Sequence, residues 1–195
     1  QFSTSNLVKL ILKPALFIGL GAFIVGSMLH QYSLTQKGHL IVESYVTRNQ
    51  ALLDETESFD YVYDIMGNTP LHAAVKMNEK WRRYDPVPIL ISKTSDLNVR
   101  NLNGRTPLFA AVRNGNMGDV KKLLEAGARL DIADKYGHTP AHVASIKAGI
   151  NKKKLSDLYF DILKLLKENG ADLGLKDYRD RTVNDCLKIF SGREL

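Results

Sequence analysis

Apolar and polar positions follow two different patterns along this chain. Residues 7–29 read LVKLILKPALFIGLGAFIVGSML, with Lys9 and Lys13 near the start and no charged side chain from Pro14 to Leu29. About 20 apolar helical residues cross a bilayer core, and a soluble helix of that length carries a polar stripe, which this run lacks. The pattern predicts a transmembrane helix over 7–30, with Lys13 reaching back to the headgroups and Pro14 near its start, where a proline disturbs least. A cleaved signal peptide is the rival reading, with Val25-Gly26-Ser27 as the small residues before a cut. From residue 40 onward the apolar positions fall into short helical blocks separated by Gly, Asn and Asp. Residues 40–54, LIVESYVTRNQALLD, are predicted to form one helix that, with Phe59, Tyr61 and Tyr63, caps the blocks after it.

The blocks from residue 64 onward are repetitive. Asp64-Ile65-Met66-Gly67-Asn68-Thr69-Pro70-Leu71-His72-Ala73-Ala74-Val75 aligns with Asn101-Leu102-Asn103-Gly104-Arg105-Thr106-Pro107-Leu108-Phe109-Ala110-Ala111-Val112. Both align with Asp134-Lys135-Tyr136-Gly137-His138-Thr139-Pro140-Ala141-His142-Val143-Ala144. A degenerate fourth copy starts at Asp177 and keeps Thr182. The second halves match too: Leu123, Leu124, Gly127 and Ala128 correspond to the Leu165, Leu166, Gly170 and Ala171 run. A lone Thr-Pro would mean nothing; three copies with matching second halves form a strong signal.

These segments resemble the ankyrin repeat, whose signature is a turn Gly, then Thr-Pro-Leu-His and paired Ala. The resemblance implies an all-α solenoid of helix-turn-helix pairs with β-turn or hairpin tips. It places a tail at 1–6, the membrane helix at 7–30, a linker and N-capping helix at 31–63, repeats at 64–100, 101–133 and 134–176, and a capping repeat at 177–195. Elementary stereochemistry agrees. Gly67, Gly104 and Gly137 suit a turn that needs positive φ. Each Thr can accept from a helix-start N–H, and the Pro after it has no N–H to waste. The alanines permit close stacking, and Gly127 and Gly170 suit a left-handed helix end. The second repeat has 33 residues, the first 37 and the third 43. The excess lies around 78–85 and 150–159, between inner and outer helices. The second insert is expected to extend its outer helix toward the N-terminus.

Charge and candidate chemistry narrow the function. The net charge is +6, but basic and acidic residues are mixed after residue 40, which argues against a nucleic-acid face. Cys186 is the only cysteine, so no internal disulfide or cysteine-based metal cluster can form. It is expected to be buried filler. His138 and His142 lie four apart, but Thr139-Pro140-Ala141 between them offers no Glu to serve as a base. His142 shares its repeat position with His72, and in ankyrin repeats that histidine bridges neighbouring backbone groups. No phosphate loop or catalytic constellation is present. The chain is therefore expected to be no enzyme, with no cofactor and no metal.

The resemblance implies protein binding on the concave side, through turn tips and inner helices. The tip candidates are Leu102, Arg105, Tyr136, His138, Tyr178 and Arg179. The inner-helix candidates are Phe109, Arg113 and Lys147; Phe109 stands where His72 and His142 stand, an unusual substitution, and its alternative reading is to fill core space. Leu102, Tyr136 and Tyr178 are read as an apolar line at matching positions, flanked by arginine, which predicts a neutral to acidic partner. Trp81 in the first insert is a second anchor, since aromatic residues and Arg dominate interface energies. In the membrane helix Ala15, Gly19, Ala22 and Gly26 share one face. They are open to two readings, a packing face for a partner helix or the ordinary abundance of small residues there. The expected function is a single-pass membrane-anchored scaffold or adaptor that holds another protein. The alternative is an accessory structural subunit of a multi-subunit membrane complex. Lys9 and Lys13, the nearer and tighter pair, favour an N-terminus on the cytoplasmic or matrix-like side, but Lys37 and Arg48 flank the other end and leave the side open. That leaves a bacterial inner membrane with a periplasmic domain, or a mitochondrial inner membrane, as the expected location. Gln1 in place of Met suggests a processed or truncated start.

Overall fold

The computed structural model describes residues 57–60, 62, 64–77, 85–150 and 153–192. The predicted membrane helix with Ala15, Gly19, Ala22 and Gly26, and the predicted capping helix over 40–54, lie outside the described residues. Among the described residues, no helix is long and apolar enough to cross a membrane.

Seven described helices form three pairs and a final single helix: α1 (Pro70–Lys76), α2 (Val87–Ser92), α3 (Pro107–Asn114), α4 (Met117–Glu125), α5 (Pro140–Ile150), α6 (Lys153–Glu168) and α7 (Val183–Ser191). The first helix of each pair packs on the next, α1 on α3, α3 on α5 and α5 on α7. The second helices form an outer layer, α2 on α4 and α4 on α6. The fold is all-helical, and an isolated bridge between Lys176 and Thr182 is its only strand-like pairing among the described residues.

Each inner helix begins for the same local reason. Thr69, Thr106 and Thr182 hold extended backbone just before the first turn. The Thr106 hydroxyl accepts from Phe109 N–H at 3.2 Å, satisfying a donor the helix start leaves open. Pro70, Pro107 and Pro140 then occupy the first helical position, where a fixed φ helps and a missing N–H costs nothing. Ala74, Ala111 and Ala144 are fully buried at the same repeat position, and their small side chains set how closely the inner helices approach. Leu90, Val120, Leu123, Leu163 and Leu166 fill the space between layers. A core of this kind is shared between neighbours, so a single repeat has no independent core.

The third repeat departs from the second at one place. α5 has 11 residues against 8 in α3, and α6 has 16 against 9 in α4. The outer helix does extend toward the N-terminus, and the inner helix lengthens as well. The longer arms are packed: Ala148, Ser156 and Tyr159 are buried, and the Ser156 hydroxyl donates to the Ala148 carbonyl. Gly149 sits directly on α7, where an added Cβ would fall 2.2 Å from the Phe190 backbone. The fourth copy supplies only α7, which buries Val183, Cys186 and Leu187. Burial pushes the Cys186 thiol above its ordinary pKa, as a packing role requires.

Candidate functional site

The turns that precede the inner helices are built on one recurring device. Asp64 Oδ1 accepts from the N–H groups of Met66 and Asn68, both at 2.9 Å. Asn101 Oδ1 takes Asn103 and Arg105 at 2.9 and 3.1 Å. Asp134 takes Tyr136 and His138 at 2.9 and 3.2 Å. Asp177 takes Arg179 and Arg181 at 2.8 and 3.1 Å. One side-chain oxygen thus closes each turn by accepting from the second and fourth residues after it, the Asx-turn behaviour of a short polar side chain. The third residue after it is Gly67, Gly104 or Gly137 at positive φ, and in the last copy Asp180 at φ 59°.

The turns are also tied to one another. Leu102 N–H donates to the Met66 carbonyl at 2.9 Å, Lys135 N–H to Asn103 at 3.0 Å, and Tyr178 N–H to Tyr136 at 3.2 Å. Side chains reinforce this ladder. Asn101 Nδ2 donates to Asn68 Oδ1 at 2.9 Å. Arg105 lies 3.4 Å from Asp134 Oδ2. His138 stands between two carboxylates, with Nδ1 3.8 Å from Asp134 and Nε2 3.4 Å from Asp177. Arg181 holds Asp177 Oδ2 at 2.6 Å. Burial works against ionising Asp177, but the hydrogen bonds from Arg181 and Arg179 outweigh it and bring its carboxyl down to about 2.

The inner-helix histidines are part of the same framework. His72 Nδ1 accepts from Thr69 N–H at 3.2 Å, while Nε2 lies 2.8 Å from the Arg105 carbonyl. His142 repeats this with Thr139 N–H at 3.3 Å and the Arg181 carbonyl at 3.1 Å. An N–H on one side and a C=O on the other require the neutral ring with its proton on Nε2. Burial drives the His72 pKa down to about 4 and lowers that of His142. Both rings are fully buried and bridge successive repeats, the role that the resemblance implies for them.

The predicted binding residues sort into three groups. Leu102, Tyr136 and Tyr178 stand out at the tips, 73%, 52% and 79% exposed. They are joined by exposed Arg113 and Arg179 and by half-buried Lys147, whose Nζ lies 6.0 Å from the Tyr159 ring centre. Arg105 and His138 are part-buried and face carboxylates inside the ladder, Arg105 at 3.4 Å from Asp134 and His138 at 3.4 Å from Asp177. Of the two readings of Phe109 the structure takes the core-filling one and corrects the binding one: the residue is 1% exposed. Its ring takes the interior place that His72 and His142 occupy, with the Arg105 guanidinium 5.3 Å from its centre. A second correction concerns register. Leu102 and Tyr178 come directly after the turn Asn or Asp, whereas Tyr136 stands one residue later, so the line is staggered. Leu102 and Tyr178 lie over the preceding glycines, with atoms 3.3 and 2.7 Å from where a Cβ on Gly67 or Gly137 would stand. Trp81 lies outside the described residues.

Sequence reasoning misses the turn residues Asp64, Asn101, Asp134 and Asp177. Their recurrence three residues before the turn position is the signal that could have found them. Among the described residues, no group of three His, Cys, Asp or Glu is placed to hold a metal ion. Behind the tips runs an open groove of about 630 Å³ lined by Asp96, Asn98, Arg100, Arg129, Asp131 and Tyr178. It carries both charge signs, and Arg129 and Asp131 are paired at 2.7 Å.

Comparison with known proteins converges on the same architecture. Residues 82–177 match the family model "Ankyrin repeats (3 copies)". The match begins after α1, yet the first turn and α1 repeat the Asx, Thr-Pro and His geometry of the later copies. The chain is 32% identical over 122 residues to "Neurogenic locus notch homolog protein 1" of Xenopus laevis, which covers 62% of this chain and 4% of the relative. It is 37% identical over 115 residues to a "Putative ankyrin repeat protein" of Rickettsia bellii (strain RML369-C), covering 57% of this chain and 44% of the relative. To "Protein PhlB" of Serratia liquefaciens it is 38% identical over 88 residues, 45% of this chain and 36% of the relative. The chain thus spans less than half the length of each of these relatives. The repeated turn device, the bridging histidines, the two-layer stack and the family match together establish that this chain carries ankyrin repeats, which imply a role in protein–protein interaction.

Proposed function

We propose that this chain is a membrane-tethered adaptor, whose stack holds a partner protein on its concave side while residues 7–30 fix it at a bilayer. The observation that carries the reading is the contrast in side-chain commitment at the tips. Arg105 and Arg181 are paired with carboxylates within the stack and His138 faces two of them, whereas Leu102, Tyr136 and Tyr178 are held out on turns whose backbones are tied together. A rigid surface with exposed aromatic and aliphatic groups binds with little ordering cost. The exposed Arg113 and Arg179 suit a neutral to acidic partner. Tethering would raise the effective concentration of that partner at the membrane.

A photoreactive side chain at Tyr136 should capture one defined protein, and the same group at Glu125 on the outer layer should not. Equal capture at both positions would remove the binding face from consideration. The full chain should stay with the membrane pellet after alkaline extraction; release into the supernatant would remove the tether. The line of Ala15, Gly19, Ala22 and Gly26 favours a second reading, an accessory subunit built into a larger membrane complex. In mild detergent such a subunit co-migrates stoichiometrically with large partners, whereas an adaptor dissociates on dilution.

A further inference from the structure

Each of the four turn tips carries a large apolar side chain held out in solvent. Ile65 is 83% exposed, Leu102 73%, Tyr136 52% and Tyr178 79%. Among the described residues, the other large apolar side chains more than half exposed are Ile150 and Ile189, near the ends of α5 and α7. Scattered exposed apolar groups need no explanation, but a row of them marks an interaction surface. Ile65 lengthens the row of Leu102, Tyr136 and Tyr178 by one repeat.

The backbone sets the pitch of that row. Within a tip the chain runs out and returns: Asn101 N–H donates to the Arg105 carbonyl at 2.9 Å, Asp134 N–H to His138 at 2.8 Å and Asp177 N–H to Arg181 at 3.0 Å. Each of these tips is then bonded to the one before it, Leu102 N–H to Met66, Lys135 N–H to Asn103 and Tyr178 N–H to Tyr136. Two hydrogen-bonded passes per repeat, at about 4.8 Å each, give roughly 9.5 Å from tip to tip. The inner helices behind the tips pack in one row, and packed helices stand about 8–10 Å apart, which agrees. The offset of Tyr136 by one residue moves its ring across the row and leaves the pitch along it unchanged.

A single partner segment that meets all four tips must repeat at that pitch. An extended strand returns to the same face every second residue, about 6.7 Å, and is out of step by the second tip. An amphipathic helix presents an anchor every turn, about 5.4 Å, so alternate anchors fall between tips. A polyproline-II helix has three residues per turn at about 3.1 Å each, so one face returns every ~9.3 Å. Over the three intervals its mismatch with the tips stays below about 1 Å. Side-chain chemistry agrees. Proline-rich segments seat on aromatic side chains, and the last two tips offer Tyr136 and Tyr178. The first two offer aliphatic Ile65 and Leu102. Arg179 is exposed beside Tyr178. Arg113 is exposed at the end of α3, its carbonyl held at 2.8 Å by the Tyr159 hydroxyl of α6. Acidic residues between the apolar ones suit both arginines.

We propose that the tips bind an extended polyproline-II segment of a partner protein, about ten residues long, with an apolar residue at every third position. Prolines meet Tyr136 and Tyr178, and aliphatic residues meet Leu102 and Ile65. The inference rests on the reading of the tips as a binding face. A segment of that conformation is ordered before it binds, and the tips are fixed by their ladder, so little entropy is lost on either side.

The test selects from a displayed library of random peptides of about twelve residues with the full chain in detergent micelles. Enriched peptides should carry apolar residues three apart, with proline concentrated toward one end, and should show the circular-dichroism signature of polyproline II when free. Tyr136→Ser with Tyr178→Ser should weaken a selected peptide about 100-fold, roughly tenfold for each ring. Ile189→Ser, away from the row, should leave binding unchanged. These side chains are exposed, and an unchanged helical spectrum checks that the variants fold. Enriched peptides with apolar residues alternating, or spaced as on a helix face, overturn the proposal. Selection that the double tyrosine variant does not weaken overturns it as well. Failure to select any peptide also overturns it, and photocapture then separates the two readings. Capture of one folded protein at Tyr136 leaves the binding face standing, whereas equal capture at Tyr136 and Glu125 removes the face too.

Discussion

α3 and α5 meet the same structural problem with opposite chemistry. Both start at Thr-Pro and both must fill the space beneath the following repeat. In α5, as in α1, an imidazole does so by accepting one backbone N–H and reaching one backbone carbonyl. In α3 the phenyl ring of Phe109 fills the same place by volume alone and takes a guanidinium on its face. The histidine solution specifies register, because both hydrogen bonds exist only when neighbouring repeats are correctly offset. The phenylalanine solution contributes apolar burial, which is indifferent to small offsets and to pH. The stack therefore alternates acid-sensitive and acid-indifferent junctions along its length.

Breaking the apolar junction should cost most. Phe109→Ala should lose about 3–5 kcal/mol, read as a lower denaturant midpoint with little change in slope. The histidine junctions should reveal themselves by pH. The His72 pKa is about 4 when folded against about 6.5 unfolded, so the unfolded chain binds the extra proton. Its contribution is complete above pH 6.5, declines as pH falls through 6.5 to about 4, and is constant below. The loss amounts to at most about 3 kcal/mol for this site. His142 should act in the same direction, since its pKa is also lowered. His72→Phe, which copies α3 into α1, should flatten the acid limb of the stability profile measured between pH 7 and 4; an unchanged slope would refute the neutral-imidazole account. Gly149→Ala should cost about 2 kcal/mol through overpacking against backbone and should release α7 first, visible as faster amide exchange at Cys186 and Leu187. The smallest change has the opposite sign. Asp180 holds φ 59° where the other turns use glycine, so Asp180→Gly should gain up to about 1 kcal/mol. Loss of its exposed pair with Lys176 offsets part of that gain.

The repeat boundaries, the helix starts and the turn glycines were legible because each depends on a rule acting within five residues. Thr before Pro starts a helix, and Gly permits positive φ, independent of the rest of the chain. The bridging histidines were legible through the family resemblance. The binding face was read less well. Phe109 shares its repeat position with His72 and His142, so repeat position by itself already allowed the interior place that its ring takes. Arg105 and His138 look like free tip residues in one dimension. Their partners Asp134 and Asp177 lie 29 and 39 residues away, and only stacking brings those groups within reach. The division of the second insert between α5 and α6 was equally illegible, because it depends on where Ala148, Ser156 and Gly149 find neighbours.

By itself the sequence determined an array of helical pairs, where each pair begins, and an apolar run ahead of them with the length of a bilayer core. These are consequences of local stereochemistry and of the number of consecutive apolar residues, and they need no knowledge of what touches what. Tertiary structure alone decided which tip side chains face carboxylates in the ladder and which stay exposed, that one inner position is filled by a phenyl ring, and that the α5–α6 hairpin is clasped to the second repeat and to α7. The physical reason is that hydrogen-bond satisfaction and burial belong to pairs of groups. Membership of a pair is set by distances in space that the order of residues along the chain does not contain.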